Sequence, residues 1–263
     1  MKNEIILVDK PSEMSSFGVV ARVRRCLTEI ENQHREVIAK QAGQSFQRVK
    51  RVKVGHTGTL DPFATGLLIL LTGKNTKRAG DFLKLDKEYI ATLRLGAVST
   101  TGDPEGGITE CWRERDGELA RVEQGENAGE LTKTEQKNRK IPNRTAVENC
   151  VEKFVGENLQ KVPEFSAVKI NGQRAYKLAR AGKKLEMPPR KVVIYELEVV
   201  EYEWPRLVIR AKVSSGTYIR ALAEDIGAAL GVGAYLTALR RTEVGDWRIE
   251  DAIPLEKWLE NWG

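Results

Sequence analysis

The chain has 263 residues, 41% hydrophobic and 30% charged, and its 43 lysines and arginines outnumber 37 acids for a net charge of +6. That length supplies one large domain or two small ones with a sizeable buried core, and no run of about 18 uncharged apolar residues is present to form a transmembrane helix. Three well-separated cysteines (Cys26, Cys111, Cys150) and two histidines (His34, His56) exclude a disulfide framework and a structural zinc site.

Glu4–Asp9 reads as a strand that runs into the turn-prone Lys10-Pro11-Ser12. Its apolar run is too short for a signal peptide and no small-residue cleavage site follows, so the chain is expected in the cytoplasm. Ser15 or Ser16 then caps a helix in which Val19, Val20, Val23, Leu27 and Ile30 recur at helical spacing, with Arg22, Arg24 and Arg25 largely off that stripe. Residues 31–50 are polar and continue the helix or form a loop. Leu67–Leu71 is a short apolar run bounded by Gly66 and Gly73, a buried strand, and Tyr89–Leu95 alternates as a second. Residues 103–140 show little periodicity and read as a surface insertion. Thr145-Ala-Val-Glu148 has the form of a capping box, opening a helix with Ala146, Val147, Cys150, Val151 and Phe154 on its apolar face. Lys191–Glu203 and Leu207–Val213 form an antiparallel hairpin around Trp204-Pro205, and a helix from Thr217 to about Leu230 closes the core. Hairpins with interspersed helices define an α+β fold with a mixed, largely antiparallel sheet.

Charge is unevenly distributed. Arg22–Lys53 holds nine lysines and arginines against three acids, and Arg174–Lys191 holds seven against one, whereas Asp103–Glu130 holds nine acids against three basic residues. A basic face attracts polyanions such as nucleic acid, although a solvated surface balanced by acids elsewhere has the same composition. Gly66–Asn75 (GLLILLTGKN) has the wrong glycine spacing for a P-loop and Asn75 where Ser or Thr should follow the lysine; no GxGxxG opens a helix after a strand.

Gly55–Gly66 (GHTGTLDPFATG) concentrates three glycines, a histidine and an aspartate between a basic stretch and a buried strand. Such loops hold unusual backbone geometry near ligands, and Asp61-Pro62 also fits a plain turn start. This segment resembles the central motif of the tRNA pseudouridine-55 synthases, the TruB family. Further segments extend the resemblance in order: Val8-Asp9-Lys10-Pro11 with Met14-Ser15-Ser16; Lys87-Glu88-Tyr89; Val162-Pro163 through Lys169, with Gly172, Tyr176 and Ala179-Arg180; Ser215–Arg220; and Leu239–Thr242. Residues 31–52 and about 105–140 lie outside it.

The resemblance implies a pseudouridine synthase fold with an RNA-gripping thumb over 161–192, in a single catalytic domain spanning 1–263. It implies isomerisation of uridine 55 in the TΨC loop of tRNA, with no cofactor and no metal. It places the catalytic carboxylate at Asp61, which can act without a histidine if held ionised. Arg220 is implied as its partner, since a nearby guanidinium favours the charged carboxylate and orients it. Tyr89 is implied at the target base; Tyr218 and Leu239 line the base pocket, and His56 fills the space left by the flipped nucleotide. Lys10, Lys169, Arg180 and Arg241 are implied as phosphate contacts along the T-arm. The route, attack at C1′, attack at C6 or elimination to a glycal, stays open.

Glu13 stands where the family's first motif has glycine. Only 22 residues follow Arg241, so the small PUA-like domain of many members is not expected, and tRNA affinity is expected to lean on stretches 22–53 and 174–191. A monomer without an obligatory protein partner and without membrane attachment is expected. The rivals are the related subunit that acts on rRNA with a guide RNA, and a tRNA-binding chaperone for which Asp61, Tyr89 and Arg220 would be dispensable.

Overall fold

A computed structural model of the chain describes residues 3–115, 118–122, 139–163, 169–170, 173–174 and 188–262. The strands in chain order are β1 (Ile5–Lys10), β2 (Val54–His56), β3 (Thr65–Thr72), β4 (Lys87–Leu95), β5 (Ala97–Ser99), β6 (Ile108–Glu110), β7 (Trp112–Arg115), β8 (Glu118–Arg121), β9 (Arg139–Lys140), β10 (Gly156–Gln160), β11 (Lys169–Ile170), β12 (Gln173–Arg174), β13 (Arg190–Glu203), β14 (Arg206–Val213), β15 (Ala234–Val244), β16 (Trp247–Arg248) and β17 (Ile253–Pro254). The helices are α1 (Ser16–Gln41), α2 (Ala79–Leu83), α3 (Arg144–Glu152), α4 (Ile219–Ala229) and α5 (Leu255–Trp262). The chain divides into two units, Met1–Glu88 with Arg240–Gly263, and Tyr89–Leu239. Both boundaries fall inside strands, β4 and β15.

The first unit is organised around β3. One edge takes β1 antiparallel over Ile5–Lys10, and the other takes β2 antiparallel at Leu70–Thr72 and β15 parallel at Thr65 and Gly66. Because β3 is buried on both faces, its apolar run is continuous rather than alternating. Leu68 and Leu70 pack with Val19, Val20 and Val23 of α1 and with Leu255 and Trp258 of α5. Leu67, Ile69 and Leu71 pack on the opposite face with Phe82 and Val244. Each such side chain contributes about 1.5–3 kcal/mol by leaving water.

Helix α1 starts where the sequence places it, with the Ser15 side chain accepting from the Gly18 amide at 3.0 Å, and it continues through the polar stretch to Gln41. Beyond the buried Asn32 the added turns are largely exposed, and the stretch carries i,i+4 pairs, Glu31 with Arg35 and Glu36 with Lys40.

In the second unit the strand order is β10-β13-β14-β4-β15, with the β13–β14 hairpin turning at Trp204-Pro205. Helix α4 buries Ile219, Leu222, Ala223 and Ile226, the predicted face. Helix α3 begins one residue before the anticipated box: its cap is Asn143, whose Oδ1 accepts from the Ala146 amide at 2.8 Å. Glu148 is engaged by Arg144 at 2.7 Å instead of reaching back to a cap.

The stretch 103–140, expected to be irregular, opens with the buried Asp103; its Ile108–Glu110 pairs with β5, and its Trp112–Arg115 pairs with Glu118–Arg121. Residues 116–117 and 123–138 of that stretch lie outside the described residues. So do 164–168, 171–172 and 175–187 of the expected thumb segment, including Arg180. No helix among the described residues is long and apolar enough to cross a membrane.

Candidate active site

Asp61 stands at the head of a turn whose shape comes from its own sequence. The Ala64 amide donates to the Asp61 carbonyl at 3.1 Å, which puts aspartate and proline at the first two positions of a β-turn, where both are favoured. The turn lies between β2 and β3, and the Thr57 amide closes onto the Ile69 carbonyl at 3.1 Å.

The N-terminal segment then fastens this turn from outside. The buried Ser16 Oγ accepts from the Leu60 amide at 2.8 Å and donates to the Leu60 carbonyl at 3.0 Å. Ser12 Oγ donates to the Phe63 carbonyl at 2.9 Å. Lys10, with no exposed surface, directs its ammonium at three carbonyls: Pro11 at 2.7 Å, Pro62 at 3.1 Å, and Met14. An ammonium has three protons, so this set accounts for all of them and makes its burial tolerable.

Arg241 fastens the other side, with Nε donating to the Leu67 carbonyl at 2.8 Å and Nη2 to the Gly58 carbonyl at 3.3 Å. Gly66 is required beside it: its φ is +102°, and a Cβ there would lie 2.3 Å from the Arg241 carbonyl oxygen. Lys10 and Arg241, implied by motif as phosphate contacts, are therefore internal clamps on the Asp61 turn. Both are buried, and these bonds spend the Lys10 ammonium and two of the five Arg241 N–H groups on backbone carbonyls. Next to them Arg240 holds Asp9 through two bonds, 2.8 and 3.2 Å. That pair was legible in principle, since both residues fall within the family motifs.

His56 ends β2, half-buried and opposite Leu70. It lies in the same unit as Asp61, Lys10 and Arg241. Lys87 and Tyr89 share the buried face of β4. Lys87 donates to the carbonyls of Leu83 at 2.8 Å and Leu85, and burial followed by the Arg241 charge lowers its pKa to about 8.

Tyr89, Tyr218, Arg220 and Leu239 belong to the second unit. Tyr89 and Leu239 are buried. Tyr218 caps α4, and its backbone is gripped by the buried Gln160: the Tyr218 amide donates to Oε1 at 2.7 Å and its carbonyl accepts from Nε2 at 2.9 Å. Arg220, in the first turn of α4, is buried, and its Nη1 donates to Asp103 Oδ2 at 3.1 Å and to the Thr101 carbonyl at 3.0 Å. Asp103 Oδ1 accepts from Thr101 Oγ1 at 2.6 Å and from the Glu105 amide at 3.0 Å. Gly102, with φ +73°, allows the approach, as a Cβ there would meet Glu224 Oε1 at 2.6 Å. Burial and the neighbouring Asp225 raise the Glu224 pKa. Asp103 and Gln160 carried no sequence signal; Asp103 sat in a stretch read as irregular. Lys169 lies in β11, and nothing is described of its side chain.

A mixed sheet flanked by helices, with an aspartate turn held rigid at the end of a buried strand, belongs to the pseudouridine synthase class. A chain of a solved Cbf5–Nop10–Gar1 complex matches 97% of this chain with a TM-score of 0.58 and 26% identity; this chain covers 53% of that one, about half its length. The family model for the TruB family pseudouridylate synthase N-terminal domain matches residues 45–126 and 118–219, and that for the tRNA pseudouridylate synthase B C-terminal domain matches 220–262. The tRNA pseudouridine synthase B of Phocaeicola vulgatus is 40% identical over 98% of this chain and 94% of its own length. That of Bacteroides thetaiotaomicron is 41% identical over 98% and 92%. The chain belongs to the TruB family of pseudouridine synthases.

Proposed function

We propose that this enzyme converts uridine 55 in the T-arm of tRNA to pseudouridine, with Asp61 as the catalytic carboxylate acting on a flipped-out base. The observation that carries the reading is the Asp61 turn, pinned by Lys10, Ser16 and Arg241, in a chain about 40% identical to enzymes named for tRNA over nearly its whole length. Holding the backbone on either side of Asp61 sets where its carboxylate is displayed before substrate arrives, so less positional freedom is lost in the reaction.

In the isomerisation the N1–C1′ bond breaks, the uracil turns, C5 bonds to C1′, the C5 proton leaves to water and N1 takes up a proton. In net terms one C–N bond is exchanged for one C–C bond within the substrate with no change of oxidation state, so no redox cofactor is required. Asp61 serves as nucleophile or base in that exchange. Tyr89 meets the target base, and Tyr218 and Leu239 flank it. His56 fills the vacated stack, offsetting part of the few kcal/mol that flipping costs. Arg220 supplies the cation that keeps the reacting carboxylate charged. The enzyme works in the cytoplasm as a single copy without an obligatory protein partner.

The test is tritium release from a tRNA transcript labelled at uridine C5. The wild type should release one equivalent, Asp61→Asn none, and a transcript with cytidine at position 55 none. Release by Asp61→Asn at the wild-type rate would remove the carboxylate from its role.

A further inference from the structure

Besides the Asp61 turn, the first unit carries an open groove of about 800 Å³ between the middle of α1 and the extended segment 48–51. Its lining includes Arg24, Arg25, Arg48, Lys50 and Arg51, with Glu29 as its one acid. The groove is built rather than incidental. Asn32 grips Val49 through both its backbone groups, at 2.7 and 3.1 Å, and Thr28 Oγ1 accepts from the Val52 amide at 3.2 Å. These bonds, with Val52 buried, turn Arg48, Lys50 and Arg51 outward.

The charges are arranged against one another. Burial and, after it, the Arg51 charge lower the Arg24 pKa, and Arg24 donates to the Val54 carbonyl at 2.8 Å. Among the described residues Arg25, Arg48, Lys50 and Arg51 form no ion pair, whereas the basic residues farther along the same helix do, Arg35 with Glu31 at 2.7 Å and Lys40 with Glu36 at 3.1 Å. Crowded cations along one track are complementary to a ligand bearing evenly spaced negative charge.

The groove also has a direction. Ala21, Arg24, Arg25, Thr28 and Asn32 follow helical spacing on one face of α1. The N-terminal end of that face carries Phe17, 64% exposed and 5.7 Å from the Arg24 guanidinium. Phe17 follows Ser16, which holds Leu60 beside Asp61. From Ser16 to Asn32 the track runs about 24 Å at the α-helical rise.

We propose that this groove binds the phosphodiester backbone of the RNA substrate, leading one strand away from the Asp61 turn past Phe17 along α1. The assignment rests on the isomerase reading for the identity of the RNA. Phosphates sit against Arg25, Arg48, Lys50 and Arg51, and Phe17 offers an aromatic face to a base.

The test compares two triple variants of equal net charge: Arg48→Ala/Lys50→Ala/Arg51→Ala in the groove, and Arg35→Ala/Lys40→Ala/Arg78→Ala among residues paired to acids. Binding of a fluorescent tRNA transcript is measured across a salt series. The groove variant should bind at least about tenfold more weakly, with a log K against log salt slope roughly two units shallower, since each phosphate no longer neutralised removes roughly 0.7–0.9 from the slope. The control should change neither by more than a small fraction of that. Arg48→Lys/Arg51→Lys should retain the wild-type slope, separating removal of charge from damaged folding. Equal losses in groove and control variants, or an unchanged slope in the groove variant, would overturn the proposal. Tritium release by the wild type reports separately on the isomerase reading: release with an unchanged groove slope sinks the groove alone. A groove-dependent slope without release sinks the isomerase and leaves an RNA-binding track.

Discussion

The turn bearing Asp61 and the helix start bearing Arg220 are both rigid, but by different means. Around Asp61 the holding groups are side-chain donors on backbone carbonyls: the buried Lys10, Ser16 and Arg241 and the exposed Ser12 reach Pro62, Leu60, Gly58 and Phe63. Around Arg220 a buried ion pair with Asp103 does the work, supported by Thr101 and the Glu105 amide. A turn held by its main chain keeps its course whichever side chain it displays. A side chain held by another side chain depends on one residue far away in sequence. Asp61 can therefore be replaced with its backbone frame kept, whereas replacing Asp103 takes from Arg220 the ion pair that orients its guanidinium.

The largest expected effect follows from breaking the second arrangement. Asp103→Ala takes its paired carboxylate from a buried guanidinium and should cost about 3 kcal/mol in urea unfolding; Asp61→Asn, by contrast, should unfold within about 1 kcal/mol of wild type. A cost for Asp103→Ala no greater than for Asp61→Asn would mean that Arg220 is held mainly by other contacts.

Lys87 sharpens the first arrangement, since it too spends its protons on carbonyls. Its folded pKa of about 8 lies below the ordinary 10.5. Between those values the unfolded chain binds more protons, so stability relative to Lys87→Met should rise as pH increases from about 8 to 10.5. The full span is on the order of 3 kcal/mol. A flat difference across that window would show that the carbonyls fully repay the burial.

Lys10→Met keeps the volume and leaves three carbonyls short of a donor, a loss of about 2 kcal/mol. Tritium release per folded molecule should fall with it, because the Pro62 anchor is gone. The smallest effect is at α3: Asn143→Ala should cost about 1 kcal/mol and Thr145→Ala much less, which separates the observed cap from the box suggested by spacing.

Elements dominated by their own pattern were legible. The two-sided burial of β3, the Val19-Val20-Val23 stripe of α1, the β13–β14 hairpin and the inner face of α4 all lie where periodicity and turn residues place them. The Thr145 box failed because the helix starts earlier: Asn143 caps the Ala146 amide with its side chain and takes the Val147 amide with its carbonyl, and Arg144 holds Glu148. At the site, motif order marked Asp61, Tyr89 and Arg220 but carried no sign of Asp103 beside Arg220 or of the carbonyls that take the Lys10 and Arg241 donors. Lys10 and Arg241 look like surface cations in the sequence, because burying a charge is costly unless it meets acceptors, and those acceptors lie elsewhere in the chain.

What the sequence by itself determined is therefore the set of elements, the position of the Asp61 turn and the family to which the chain belongs. Each depends on residues close together in the chain, where spacing and backbone preference act directly. Tertiary structure decided which charges are internal. Asp103 reaches Arg220 across 117 positions and Gln160 reaches Tyr218 across 58. It also laid segment 48–52 against α1 to gather cations into one groove. Such pairings need donors and acceptors from distant strands to meet at hydrogen-bond distance, and that meeting is a property of the packed backbone rather than of any local run of residues.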